Sequence, residues 1–168
     1  TTWVYAADRS AGAVIEGVRA GRTFVSQEPP AHQGPRLFLE AREDWVGGQP
    51  DAAIVGGEVR PLGPLAVTVR VENGTGQRLR IISTGKTVKE VLVISPSARH
   101  TTRVVLPPGG WLRAELLFDA GYAMTAVTSA IYAAAEAAPA AVQANPTDGP
   151  PASYASPPTT LPEIACDC

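Results

Sequence analysis

The clearest pattern in the chain is strict alternation. In "LAVTVRVENGTGQRLRIIS", residues 65–83, Leu65, Val67, Val69 and Val71 point one way while Thr68, Arg70 and Glu72 point the other. A period of two is the mark of a strand with one buried and one solvated face. Asn73-Gly74 tolerates the positive φ of a tight reversal, and Leu79 and Ile81 resume the alternation, which predicts a β-hairpin. The same reasoning predicts strands at "RLFLEARE" (36–43), "EVLVI" (90–94), "TTRVVLP" (101–107), "WLRAELLF" (111–118) and "MTAVTSAIYA" (124–133). Pro-Ser, Pro-Pro-Gly-Gly and Asp-Ala-Gly-Tyr punctuate them. Short strands at this spacing predict a mainly β fold, an antiparallel β-sandwich of the Ig-like or jelly-roll-like kind.

One segment has a different period. Ser10 or Asp8 can cap a helix, Val14, Ile15 and Val18 recur at helical spacing, and Gly21 suits the left-handed residue that ends one. These signals predict a short N-terminal helix over 10–21. Thr23 to Ser26 then read as a strand, which Pro29-Pro30 keep from continuing at the centre of a sheet. The apolar stripe of the helix needs a covering surface, either the sandwich or a body beyond it.

Composition changes after Ala134. Residues 135–168 hold seven of the sixteen prolines, nine alanines, four acids and no Lys or Arg. Such a segment buries too little apolar area to offset its ordering entropy and reads as a Pro/Ala-rich acidic tail. Tyr154, Leu161 and Ile164 are its candidate anchors, and a tail laid as an extended strand or polyproline segment in a groove of a neighbouring molecule would hold a homo-oligomer. The expected organisation is a strand–helix–strand junction at 1–30, a sandwich at 31–134 and a tail at 135–168.

Charge and length narrow the function classes. At 168 residues the chain suits one domain, and its net charge of −2, from 14 basic and 16 acidic residues mixed along the sequence, offers no basic field for nucleic acid or anionic lipid. Apolar runs such as Val91-Leu92-Val93-Ile94 are far short of the roughly 20 residues that span a bilayer. The first residues, Thr1-Thr2-Trp3-Val4-Tyr5, carry neither Met nor an apolar leader, the pattern expected of a piece of a longer chain.

Candidate chemistry is sparse. Gly85-Lys86-Thr87 matches the end of a phosphate-binding P-loop, but Arg80 stands where the motif needs its first glycine, and "VKEVLVI" is a strand pattern where it needs a helix. Thr84-Gly85-Lys86 therefore reads as a hairpin turn. His32 and His100 sit in loop-like contexts without an Asp, Glu or Cys at ligand spacing, and read as solvated loop residues. Cys166 and Cys168 offer two thiolates, where a closed zinc site wants four ligands. Ser26, Ser83, Ser95 and Ser97 lack a nearby base or a nucleophile elbow, and Glu40, Glu43 and Asp44 alternate with Arg42 as an ordinary solvated strand end. Asn73-Gly74-Thr75 has the form of a glycosylation sequon, two residues of which the turn already explains. Trp3, Trp45 and Trp111 suit core or edge packing. Trp45, in the polar loop "REDWVGGQPD", is the candidate for sugar stacking. No catalytic set emerges, so the chain alone is expected to be inactive and free of cofactor.

"TTWVYAADRSAGAVIEGVRAGRTFVSQEPP" followed by "GPRLFLEA" resembles the segment that leaves the catalytic barrel in PHP-domain metal-dependent hydrolases of the CehA/McbA, phosphoesterase-like group. There a "TWVYA" strand, a helix ending in "AGR" and "TFVS" followed by Pro lead into a C-terminal β domain. "RLRIISTGKTVKEV", "GGWLRAEL" and "AVTSAIYAA" resemble later strands of that domain, so the likeness covers about residues 1–134, with Ala130 where the family often has Pro. It implies a non-catalytic C-terminal accessory domain whose partner is an upstream PHP barrel that holds the divalent metal (Mn, Zn or Fe). It carries no metal ligand to any position here. Arg22 becomes a residue of the seam between barrel and sandwich. The alternative is a carbohydrate- or envelope-binding sandwich that uses Trp45. A bacterial cytoplasmic and an exported protein fit equally.

Overall fold

The computed structural model describes residues 1–43, 52–60, 62–118 and 123–135. Its ordered elements fall within the unit Thr1–Glu136. Strand β1 (Thr2–Val4) leads to helix α1 (Ala11–Arg19) and β2 (Thr23–Ser26). After a 3-10 turn at Pro30–His32 come β3 (Arg36–Glu43), the two-residue strands β4 (Ala53–Ile54) and β5 (Glu58–Val59), and β6 (Leu65–Glu72). Then follow β7 (Gln77–Ser83), β8 (Lys86–Leu92), β9 (Ser97–Val104), β10 (Trp111–Phe118), β11 (Met124–Thr128) and β12 (Ile131–Ala133).

The strands form two sheets around one core, the expected mainly β sandwich with a single short helix. The smaller sheet runs β4-β3-β6-β9. In the larger, β10 pairs with β7 on one side, which carries β8 at its edge, and with β11 and β12 on the other. The strand expected at 124–133 is thus interrupted at Ser129-Ala130. The break lets β11 pair antiparallel with β2 while β12 pairs in parallel with β5. β1 and β2 are strands of the larger sheet, so residues 1–30 are built into the sandwich.

The alternation places the core as expected. Leu65, Val67, Val69 and Val71 are fully buried, facing Leu79 and Ile81 of β7 and Leu112, Ala114 and Leu116 of β10. The hairpin Ser83–Lys86 turns through Thr84 (φ 47°) and Gly85 (φ 82°), both left-handed as a two-residue reversal requires. Two boundaries shift: the strand expected at 90–94 spans 86–92, and that expected at 101–107 spans 97–104, short of Pro107. Both move because pairing with a neighbour, not apolar content, decides where a ladder ends: β8 follows β7 and β9 follows β6.

The core cluster is aliphatic, and four aromatic residues, Trp3, Tyr5, Phe24 and Phe38, gather beside it. Trp3 stacks on Phe24 with centroids 5.5 Å apart, and Tyr5 meets Phe38 edge-on at 5.9 Å. Tyr5 Oη donates to the Leu37 carbonyl of β3 at 2.7 Å. Burial, the main cause, holds the Tyr5 phenol well above its ordinary pKa, so it stays a donor. The outer face of the smaller sheet carries Arg36, Arg42, Arg70, Arg99 and Arg103 beside Glu40 and Glu72. Glu72 pairs with Arg36 at 2.5 Å and with Arg70, whose guanidinium lies 3.6 Å from the Phe38 ring centroid. Ion pairs this exposed contribute little net stability.

Candidate functional site

Helix α1 is built as its sequence signals require. Ser10 caps it by accepting from Ala13 N at 3.2 Å, and Asp8 accepts from Ser10 N at 2.7 Å. At the other end Gly21 takes φ 66°, Gly21 N donates to Val18 O at 3.0 Å and Arg22 N donates to Gly17 O at 2.9 Å. That pair of bonds is a Schellman cap. The helix therefore spans 11–19, with Ser10 and Gly21 as flanking caps.

Its inward face, however, is the small-residue one. Gly17 is the helix's buried residue, and a Cβ there would lie 2.7 Å from both Tyr5 O and Val4 Cγ1. The close seat on β1 turns the larger residues outward: Val14, Ile15 and Val18 are 37, 51 and 53 % exposed. The sandwich does not cover the stripe. Val25, also exposed, stands on the outer face of the larger sheet in register with Thr2 and Val127.

Arg22 links the helix to the sheet through its backbone. Its N–H closes the helix cap, and its carbonyl accepts from Tyr5 N at 2.8 Å. The side chain is partly exposed and has no polar partner among the described residues. Trp45 and Tyr154, the other two candidates, lie outside the described residues, as do Cys166, Cys168 and the tail.

The two histidines separate. His32 does have an acidic neighbour: the chain around the 3-10 turn brings Glu28 Oε2 to 3.4 Å from its Nδ1, a contact between exposed side chains that the loop-like sequence around Pro29-Pro30 does not signal. His100 belongs to β9, not to a loop, opposite Val69. Its Nε2 is buried without a hydrogen-bond partner. Burial and then the Lys89 ammonium hold His100 below its ordinary value of 6.5. In the window between that lowered pKa and 6.5 the unfolded chain binds more protons, so stability falls as pH drops through it. The expected result is an NMR titration midpoint for His100 below 6.5, and a flatter stability profile across that window in His100→Gln. A midpoint at or above 6.5 would show the ring to be solvated.

Among the described residues no group of three or more His, Cys, Asp and Glu could hold a metal ion, and no helix is long and apolar enough to cross a membrane. A cleft of mixed polar and apolar lining lies at the end of the sandwich where β2, β7 and β11 meet, with a volume of about 220 Å³. Carboxamides of Gln27, Gln33, Asn73 and Gln77 line it, together with the exposed Phe118 ring. Sequence reasoning did not single out this set, because its members come from element ends far apart in the chain and only the turn at Asn73 carried any signal. No protein-family model, no curated protein and no solved structure matches the chain.

Proposed function

We propose that the chain is a non-catalytic accessory β-sandwich that docks through the outer face of α1 onto the catalytic barrel of a PHP-type metal-dependent hydrolase. The observation that supports this reading is the reversed helix, with small Gly17 under it and Val14, Ile15 and Val18 turned to solvent. Covering three half-exposed aliphatic side chains is worth on the order of 2–3 kcal/mol at about 25 cal/mol per Å², enough to seat a domain already tethered to its partner. The residues that form this face lie within the stretch whose "TWVYA", "AGR" and "TFVS" resemble the barrel-to-sandwich segment of that family. The role it implies is to stabilise the barrel or to hold an assembly together.

Ile15→Glu combined with Val18→Lys tests the docking face. Both substitutions keep good helix formers on an exposed surface, so the urea midpoint of the sandwich should stay within about 0.5 kcal/mol of the parent. Affinity for a purified CehA/McbA-type barrel, read by titration calorimetry, should fall at least about 30-fold, the equivalent of roughly 2 kcal/mol. A large loss of fold stability, or undiminished binding, would overturn the docking role. Metal-dependent phosphoester turnover by the chain alone would overturn the non-catalytic reading.

A further inference from the structure

The cleft beside Phe118 is not used by the docking role, and it is shaped before any ligand arrives. Gly34 lets the β2–β3 connection close on itself: a Cβ there would stand 2.2 Å from Glu28 O. Pro29 O accepts from His32 N at 3.0 Å and from Gly34 N at 3.4 Å. Gln33 (φ 54°) and Asn73 (φ 56°) both hold left-handed backbone without being glycine, and Asn73 N donates to Pro96 O at 2.7 Å. Non-glycine residues in this region of φ carry a conformational cost, and such positions concentrate at ligand clamps and other functional sites. Two of them meet on one cleft here.

The lining has a consistent chemistry. Gln77 Oε1 accepts from Thr125 Oγ1, a hydroxyl on a residue only 4 % exposed, which fixes the amide and leaves its N–H₂ group for a ligand. The side-chain amides of Gln27, Gln33 and Asn73 have no partner among the described residues. Each carboxamide offers donors and an acceptor together, which matches a vicinal pair of hydroxyls. Phe118 is 51 % exposed and sits directly across the strand pair from Gln77, an apolar platform beside polar arms. Neither Lys nor Arg lines this lobe, and its histidine, His32, lies 3.4 Å from Glu28, so the lobe offers no net positive charge to an anion. Beyond Gln33, Gly34 and Asn73, which both lobes share, a second cleft of about 220 Å³ continues to Trp3 and Arg36.

We propose that this double cleft binds a neutral oligosaccharide, with the Phe118 ring stacking on the apolar face of one sugar and the four carboxamides holding its hydroxyls. Two lobes about a shared ridge suit a chain of sugars better than a single one. The proposal rests on the cleft alone, so it stands or falls separately from the α1 docking face.

The test is an amide NMR titration with three neutral hexasaccharides, a β-1,4-glucan, an α-1,4-glucan and a β-1,4-N-acetylglucosamine chain. At least one should shift the Gln33, Asn73 and Gln77 signals with a dissociation constant of roughly 0.1–1 mM, ordinary for a small exposed site. Phe118→Ala and Gln27→Ala, both at exposed positions, should each weaken that binding about 5–10-fold while the unfolding midpoint confirms an intact fold. No shift with any of the three at about ten times a millimolar constant overturns the proposal. So does binding that both variants leave unchanged, or tighter binding of a polyuronate or a proline-rich peptide in the same cleft.

Discussion

Gly56→Ala should destabilise the sandwich by about 2–5 kcal/mol, although it adds a single methyl group at a surface turn. Gly56 holds φ 77°, a left-handed conformation that costs an L-residue about 1–2 kcal/mol. The added Cβ would stand 2.1 Å from Ala20 O, 2.6 Å from the Gly21 carbonyl carbon and 2.8 Å from Arg22 N. All three are backbone atoms of the helix cap, so no side chain can swing aside, and displacement of this kind adds about 1–3 kcal/mol. The Gly56 N–H is committed as well, donating to Ala130 O at 2.7 Å across the break between β11 and β12. Chemical denaturation measures the loss directly, and a change under about 1 kcal/mol would mean that the helix is not seated on this turn. The variant should also weaken docking, since it shifts the cap that orients Val14, Ile15 and Val18.

Leu116→Ala should cost about 3–5 kcal/mol, a large part of the 5–15 kcal/mol typical of a whole domain. Leu116 is fully buried at the centre of β10. Its Cδ1 lies 3.4 Å from where a Gly74 Cβ would be, and its carbonyl accepts from Thr125 Oγ1 at 3.2 Å. The cavity would open beneath the Asn73-Gly74 turn and beside the threonine that orients Gln77. Scanning calorimetry should therefore show a Tm lower by roughly 10 °C, together with weaker saccharide binding. A loss below about 1 kcal/mol would place the centre of the core elsewhere. Ile94→Ala, at a position 82 % exposed, is the matched control and should change neither property.

What the sequence made legible follows from which physical signals are local. Strand faces were readable because alternation is intrinsic to the pleat, so Leu65 to Val71 could be placed in the core without knowing their partners. The cap at Ser10, the left-handed Gly21 and the Thr84-Gly85 reversal were readable for the same reason. The direction in which α1 faces was not, because a stripe of Val14, Ile15 and Val18 says that a surface is needed but not whose. Gly17 and Ala20, which form the inward contact, look like ordinary helix fillers until β1 and Gly56 are placed against them. The two-residue strands β4 and β5 have too few residues to show any period. The cleft was least legible of all: Gln27, Asn73, Gln77 and Phe118 are unremarkable polar and terminal residues until four element ends converge.

The division of β11 and β12 at Ser129-Ala130 also bears on the order in which the molecule comes into being. β2 borders β11 at Val25 and Val127, a separation on the order of a hundred residues, so β1, α1 and β2 leave the ribosome long before the strand that anchors them. At about 5–20 residues per second that interval lasts several seconds, during which the exposed aliphatic helix is tethered but unsupported. Any body that engages α1 early meets it as a loose hairpin. Engagement with the rigid, outward-facing stripe must wait for the last third of the sandwich to be translated.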